Sequence, residues 1–164
     1  MPMSTDIAAT YRGPGRVIRR LLALGPHEGR ALAILMGACV IMFVAQWPRI
    51  ARDAHLAGDD RQMMIAGALL GWIFVVPLVF YIIAFVLRFA LRLFGLRVTG
   101  FQSRLVLFWG FAAASPLFLL VGLTRGFIGP GPEHMITGAL WAAALAWFWI
   151  RGYWVAAQPD TADA

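Results

Sequence analysis

From Met63 to Leu87 the chain runs twenty-five residues without a charged side chain, and three further apolar stretches lie at about 31–48, 105–124 and 135–154. No other feature constrains the fold so tightly. A bilayer core of about 30 Å takes roughly twenty helical residues to cross. Inside hydrocarbon, a spanning segment must also satisfy its own backbone hydrogen bonds, as a helix does. Composition agrees: 61% of the 164 residues are hydrophobic and 13% are charged, against about 45–50% and about 25% in soluble domains. A chain this short has too much surface per volume to hide that excess. The predicted fold class is all-α, a polytopic membrane protein with four transmembrane helices in one domain.

The arginines give the orientation. All fourteen basic residues are arginine, and the formal net charge is +6. With four crossings, Arg12, Arg16, Arg19, Arg20, Arg30, Arg88, Arg92, Arg97, Arg104 and Arg151 fall on one side, and only Arg49, Arg52, Arg61 and Arg125 on the other. The positive-inside rule then places both termini in the cytoplasm of a multi-pass inner-membrane protein. Trp47 sits at the outer boundary and Trp147, Trp149 and Trp154 at the inner one, as an aromatic belt would have it. Trp72, Trp109 and Trp141 are left to pack between helices.

Two segments carry arginines on an oily background. In GPGRVIRRLLALGP (13–26), Pro14 suits a first helical turn and Gly25-Pro26 ends it. Val17, Ile18, Leu21, Leu22 and Leu24 make one side; Arg16, Arg19 and Arg20 make the other. So short a helix needs a membrane surface or a partner to form, and a disordered basic arm is the alternative. The second segment follows the second span, where Arg88, Arg92 and Arg97 are interleaved with Phe85, Phe89, Leu93 and Leu96. Here the helix is expected to continue through the headgroup layer, its arginines reaching for phosphate while its apolar side stays in the acyl boundary. Arg16, Arg19, Arg20, Arg88, Arg92 and Arg97 are therefore the candidate lipid-headgroup residues. The domain plan is a cytoplasmic basic amphipathic segment over 1–29, a four-helix transmembrane domain over 30–157 and a cytoplasmic tail over 158–164.

Within the spans, small residues recur four apart at Gly67/Gly71, Gly110/Ala114 and Gly138/Ala142/Ala146. Such faces let helix backbones approach closely where lipid supplies no hydrophobic drive. Gly67/Gly71 and Gly138/Ala142 enter from the same side at similar depth and could pair within the chain, or either face could serve dimerisation. Pro77 and Pro116 are the candidate kink positions. A transporter would place charged residues inside its spans, and none is found there apart from Arg151 near an end. His55 and His134 share the outer side with Asp53, Asp59, Asp60 and Glu133, but the spacings match no zinc pattern. No nucleophile, phosphate-loop or dinucleotide pattern is present, so neither catalysis, cofactor nor metal is expected. Cys39 lies alone within an apolar run and reads as a buried small hydrophobe. A cleaved signal would need a shorter apolar core than the first span has.

The layout resembles the short alphaproteobacterial branch of the Yip1 family. The likeness rests on the basic helix before the first span, AQWPR (45–49), QMM (62–64), RLVLFWGFAAASPLFLL (104–120) and FIGPGP (127–132), and covers about residues 5–155. It departs from longer relatives, which are drawn with five spans. The motifs tied in eukaryotic relatives to small-GTPase partners are not recognisable. What the resemblance implies is a membrane fold without an established activity. The expected function is a non-enzymatic membrane organiser or scaffold that binds anionic lipid and other integral membrane proteins or itself, with no nucleic-acid partner. The alternative is an accessory subunit of a larger respiratory or photosynthetic complex.

Overall fold

Helix stop and start signals divide the described residues into eight α-helices. The computed structural model describes residues 3–58 and 60–158, so Asp59 and the tail beyond Gln158 lie outside the described residues. In order, the helices are α1 (Met3–Arg12), α2 (Pro14–Ala23), α3 (Glu28–Ala45), α4 (Trp47–Ala57), α5 (Arg61–Leu70), α6 (Val76–Leu93), α7 (Gly100–Leu123) and α8 (Pro132–Ala156). A π-helical turn, Gly71–Val75, joins α5 to α6, and a second, Thr124–Ile128, ends α7. No strand occurs among the described residues.

Four continuous helical stretches are long and apolar enough to cross a membrane: Glu28–Ala57, Arg61–Leu93, Gly100–Ile128 and Pro132–Ala156. The fold is all-α and polytopic. Consecutive stretches alternate in direction, so the bundle has two ends. One bears α2, the α6–α7 connection and the end of α8; the other bears α4, the start of α5 and the second π turn.

The third stretch is the axis of the bundle. Every residue of α7 from Leu105 to Ser115 is buried, because α3, α6, α8 and the amino-terminal helices all pack on it. α3 offers Ala31, Leu35, Ala38, Met42 and Ala45, a face at helical spacing with alanine at every seventh position. Those alanines let α3 approach so closely that a Cβ on Gly122 of α7 would collide with the Ala45 carbonyl. α8 closes on the other side. A Cβ on Gly110 would lie 2.6 Å from the Trp149 ring, and one on Gly152 would lie 2.7 Å from Val106. The Trp149 indole also donates to the Leu107 carbonyl at 3.2 Å. α6 contributes Pro77, Phe80 and Ala84 to the core, with Phe80 and Phe111 ring centroids 4.4 Å apart. Its opposite face, including Leu78, Ile82, Phe85 and Phe89, is exposed, as the lipid-facing side of a span would be.

Several expectations are corrected by this packing. The first span does not end in a loop at Pro48: the chain stays helical through Gln46, and residues 47–57 form α4. Pro48 sits in the first turn of that helix, the one helical position where a missing N–H costs nothing. The predicted bend at Pro77 coincides with the first π turn, where the Val76 N–H reaches back five residues to the Gly71 carbonyl. This wider turn makes room for a ring that cannot donate to the preceding turn. Pro116 does not end α7, which runs as one α-helix from Gly100 to Leu123 with the proline inside it.

The glycine faces of the second and fourth spans do not meet. A Cβ on Gly67, Gly71 or Gly138 would find open space, and Ala142 and Ala146 are exposed. Trp72, Phe118 and Trp141 hold the two spans apart, with centroid separations of 5.4 and 5.1 Å. Gly110 and Ala114, by contrast, are buried in α7.

Candidate functional site: the arginine-rich end of the bundle

The amino-terminal segment is built as a helical hairpin. α1 and α2 meet at Gly13-Pro14, and proline opens α2 as anticipated. Val17, Ile18, Leu21 and Leu22 are at most 7% exposed; they are turned against the bundle, not into lipid. Each such burial from water stabilises by about 1.5–3 kcal/mol, enough to hold a ten-residue helix that would be marginal alone. The partner such a helix requires is thus the chain's own bundle.

Polar contacts fix the register of the hairpin. Thr10 is fully buried; its hydroxyl donates to the Asp6 carbonyl at 2.7 Å and accepts from the Trp109 indole N–H at 3.1 Å. Tyr11 packs edge-on to Phe148, with centroids 5.1 Å apart. Burial raises the Tyr11 phenol pKa above its ordinary value of 10.0, so it stays neutral here. Arg30 then donates to the Leu21 carbonyl in the last turn of α2 and to the Gly25 carbonyl just beyond it, at 3.4 and 2.6 Å.

These contacts sort the six candidate headgroup arginines. On α2, Arg20 is paired with Asp6 and Arg19 donates to the Gln158 side chain at 3.1 Å. Arg16 is exposed on the same face. Two of the three are therefore engaged in holding the hairpin and the end of α8. Arg88, Arg92 and Arg97 are exposed, and none pairs with a carboxylate among the described residues.

The latter three line one groove of about 720 Å³ with Gly95, Leu96, Val98 and Thr99. Local sequence explains its shape. Gly95 takes a positive φ of 78° in a Schellman-type ending, in which the Leu96 N–H reaches the Leu91 carbonyl at 3.0 Å and the Gly95 N–H the Arg92 carbonyl at 3.1 Å. Thr99 and Gln102 form a capping box that opens α7. Between these two stops the chain turns sharply, and the arginines at the end of α6 face the start of α7. A Cβ on Gly100 would lie 3.0 Å from Arg88 Nη1 and 3.4 Å from Arg104 Nη1. Arg104 itself is paired with Glu28.

The aromatic belt is split. Trp147 and Trp154 are exposed, at 54% and 61%, and both receive the Arg151 guanidinium over their rings at 5.6 and 5.3 Å. Trp149 belongs instead to the α7–α8 contact.

The opposite end holds a strut that the sequence did not reveal. Arg52 of α4 donates to the Gly126 and Phe127 carbonyls at 3.3 and 3.2 Å, where the end of α7 leaves carbonyls without helical partners. Gly126 lets Pro48 sit directly against that turn. The only signal for it was the arginine four residues after a helix-initiating proline. Nearby, Asp53 lies 3.7 Å from Arg49 and Asp60 caps α5 by accepting from the Gln62 N–H at 2.8 Å. Among the described residues no three His, Cys, Asp or Glu side chains come together as metal ligands would.

No protein-family model matches the chain, and no curated protein or solved structure is significantly similar to it.

Proposed function

We propose that this chain is a non-enzymatic, Yip1-type integral membrane protein of a bacterial inner membrane, with both termini cytoplasmic, that organises its surroundings by binding anionic lipid and integral partners. One observation carries the reading: the arginines of the α6–α7 connection have no carboxylate partner among the described residues and lie beside an exposed apolar wall, on the end that gathers most of the positive charge. Arginine forks match phosphate geometry, and the positive-inside rule makes such an end the cytoplasmic one. Neutralising Arg16, Arg19, Arg20, Arg88 and Arg92 to glutamine should lower the amount of phosphatidylglycerol that the detergent-extracted protein retains from mixed micelles, while leaving retained phosphatidylcholine unchanged. Equal retention of both lipids by the variant and the parent would remove this function.

A second reading is an accessory subunit of a larger respiratory or photosynthetic complex. The open glycine faces support it, since a Cβ on Gly67, Gly71 or Gly138 would meet no side chain or neighbouring helix among the described residues and α5 has no buried residue. Extraction in a mild detergent separates the two. Comigration with a stoichiometric complex favours the subunit, and migration as the single chain or a small homo-oligomer favours the organiser.

A further inference from the structure

We propose that the groove at the α6–α7 connection is a discrete binding site for one glycerophospholipid carrying at least two phosphate charges, with Arg88, Arg92 and Arg97 on its phosphates and the exposed wall of α6 along its acyl chain. The inference rests on the lipid-binding function proposed above and gives it a location and a ligand class.

Charge is the first argument. Three guanidiniums share one groove of about 720 Å³ with no carboxylate partner among the described residues. Glu28, the acid that reaches this end of α7, is taken by Arg104. Like charges held together near low-dielectric material repel, and a bound anion relieves them. A single phosphodiester leaves most of that charge uncompensated, whereas two phosphates match it more closely. A zwitterionic lipid would bring an ammonium group for which the groove offers no acid.

Geometry is the second argument. Arg88 is folded over Gly100, the first residue of α7. The capping box uses the N–H groups of Thr99 and Gln102, which sets the start of α7, with its positive dipole end, beside the arginines.

The third argument selects a lipid over a soluble phosphate. Phe85, Phe89 and Leu93 recur every four residues on α6 and are 70%, 65% and 79% exposed. They continue the apolar surface of Leu78 and Ile82 up to the arginines. From Phe85 to Arg92 is about 10 Å along the helix, so a phosphate at the arginines leaves its acyl chain beside those rings.

The test is native mass spectrometry of the full chain released from detergent micelles, titrated with cardiolipin, phosphatidylglycerol or phosphatidylcholine. The parent protein should retain cardiolipin most strongly. R88Q/R92Q/R97Q should lose roughly tenfold or more in cardiolipin affinity, the scale of losing one or two charge-assisted hydrogen bonds. R12Q/R16Q/R19Q removes the same charge from the hairpin and should cost clearly less. Equal losses in the two triple variants would dissolve the site into a diffuse charged surface while leaving the broader lipid-binding function standing. No preference of the parent for either anionic lipid would remove both. Displacement of cardiolipin by inorganic phosphate alone would reassign the groove to a soluble anion.

Discussion

Single residues at close contacts decide whether the bundle can assemble. Gly122 lies so near the Ala45 carbonyl that no side chain fits, and the obstacle is backbone, which cannot swing aside. Gly122→Ala should therefore destabilise by about 1–3 kcal/mol or more, read as a lower midpoint of thermal unfolding in detergent. Gly67→Ala and Gly138→Ala, whose new methyls meet open space, should leave that midpoint unchanged or raise it slightly, because alanine is the better helix former. All three glycines look alike in a sequence: small residues in apolar helices. Which of them faces a neighbour depends on how the helices rotate about α7, and that rotation is set by contacts far away in the chain. The four-residue spacing picked out Gly67 and Gly71; the glycine under most constraint, Gly122, also has a glycine four residues on, Gly126, but Arg125 lies between them at the end of the apolar run.

Titration belongs at the same scale. Because burial raises the Tyr11 pKa, the neutral phenol is the form that docks. The linked stability is complete below the unfolded value of about 10 and is lost as pH rises through the higher folded value. In a Y81F/Y153F background, phenolate absorbance should appear only above the ordinary tyrosine range, and amide protection across residues 4–23 should decline in step with it.

At the scale of elements, the amino-terminal hairpin is the part whose placement carries most consequence. Its amphipathic pattern was legible, with Pro14 and Gly25 marking its second helix, but an apolar stripe of that width suits a membrane surface and a protein groove equally well. The choice is made by Thr10 and Trp109, ninety-nine positions apart. An indole N–H inside an apolar helix must find an acceptor, and the hairpin provides it. Thr10→Val should raise hydrogen exchange over residues 4–23 without changing exchange over α7 and α8. Trp109→Phe should do the same, and the double variant should cost less than the two single changes combined, as coupled partners do. Unaltered exchange in both single variants would mean that the hairpin is held by its apolar face alone.

For the whole molecule, orientation is the prediction that reaches furthest. In a Cys39→Ala background, a thiol introduced at Arg97 should react only with reagents that reach the cytoplasm, and one at Leu56 only with impermeant reagents added from outside. The reverse pattern would invert the map and take the headgroup role of the α6–α7 connection with it. The two open glycine faces give a second test at this scale. Gly67→Leu and Gly138→Leu should leave the isolated chain as stable as the parent. If the chain is a subunit, these same variants should abolish comigration with its complex.

The sequence by itself determined the solvent, the number of crossings and their approximate limits, because transfer of apolar side chains and backbone into lipid is additive along a segment and needs no knowledge of its neighbours. Charge asymmetry, turn glycines and helix-opening prolines were readable for the same reason: each acts within a few residues. Tertiary structure alone decided that α7 is the axis, that the basic hairpin rests on the bundle, that Arg19 and Arg20 are engaged while Arg88, Arg92 and Arg97 have no carboxylate partner among the described residues, and that Arg52 secures the far end. Those outcomes depend on helix rotation and close approach between segments far apart in the chain. In lipid the apolar residues give no preference for one face over another, so small steric and polar contacts make the choice.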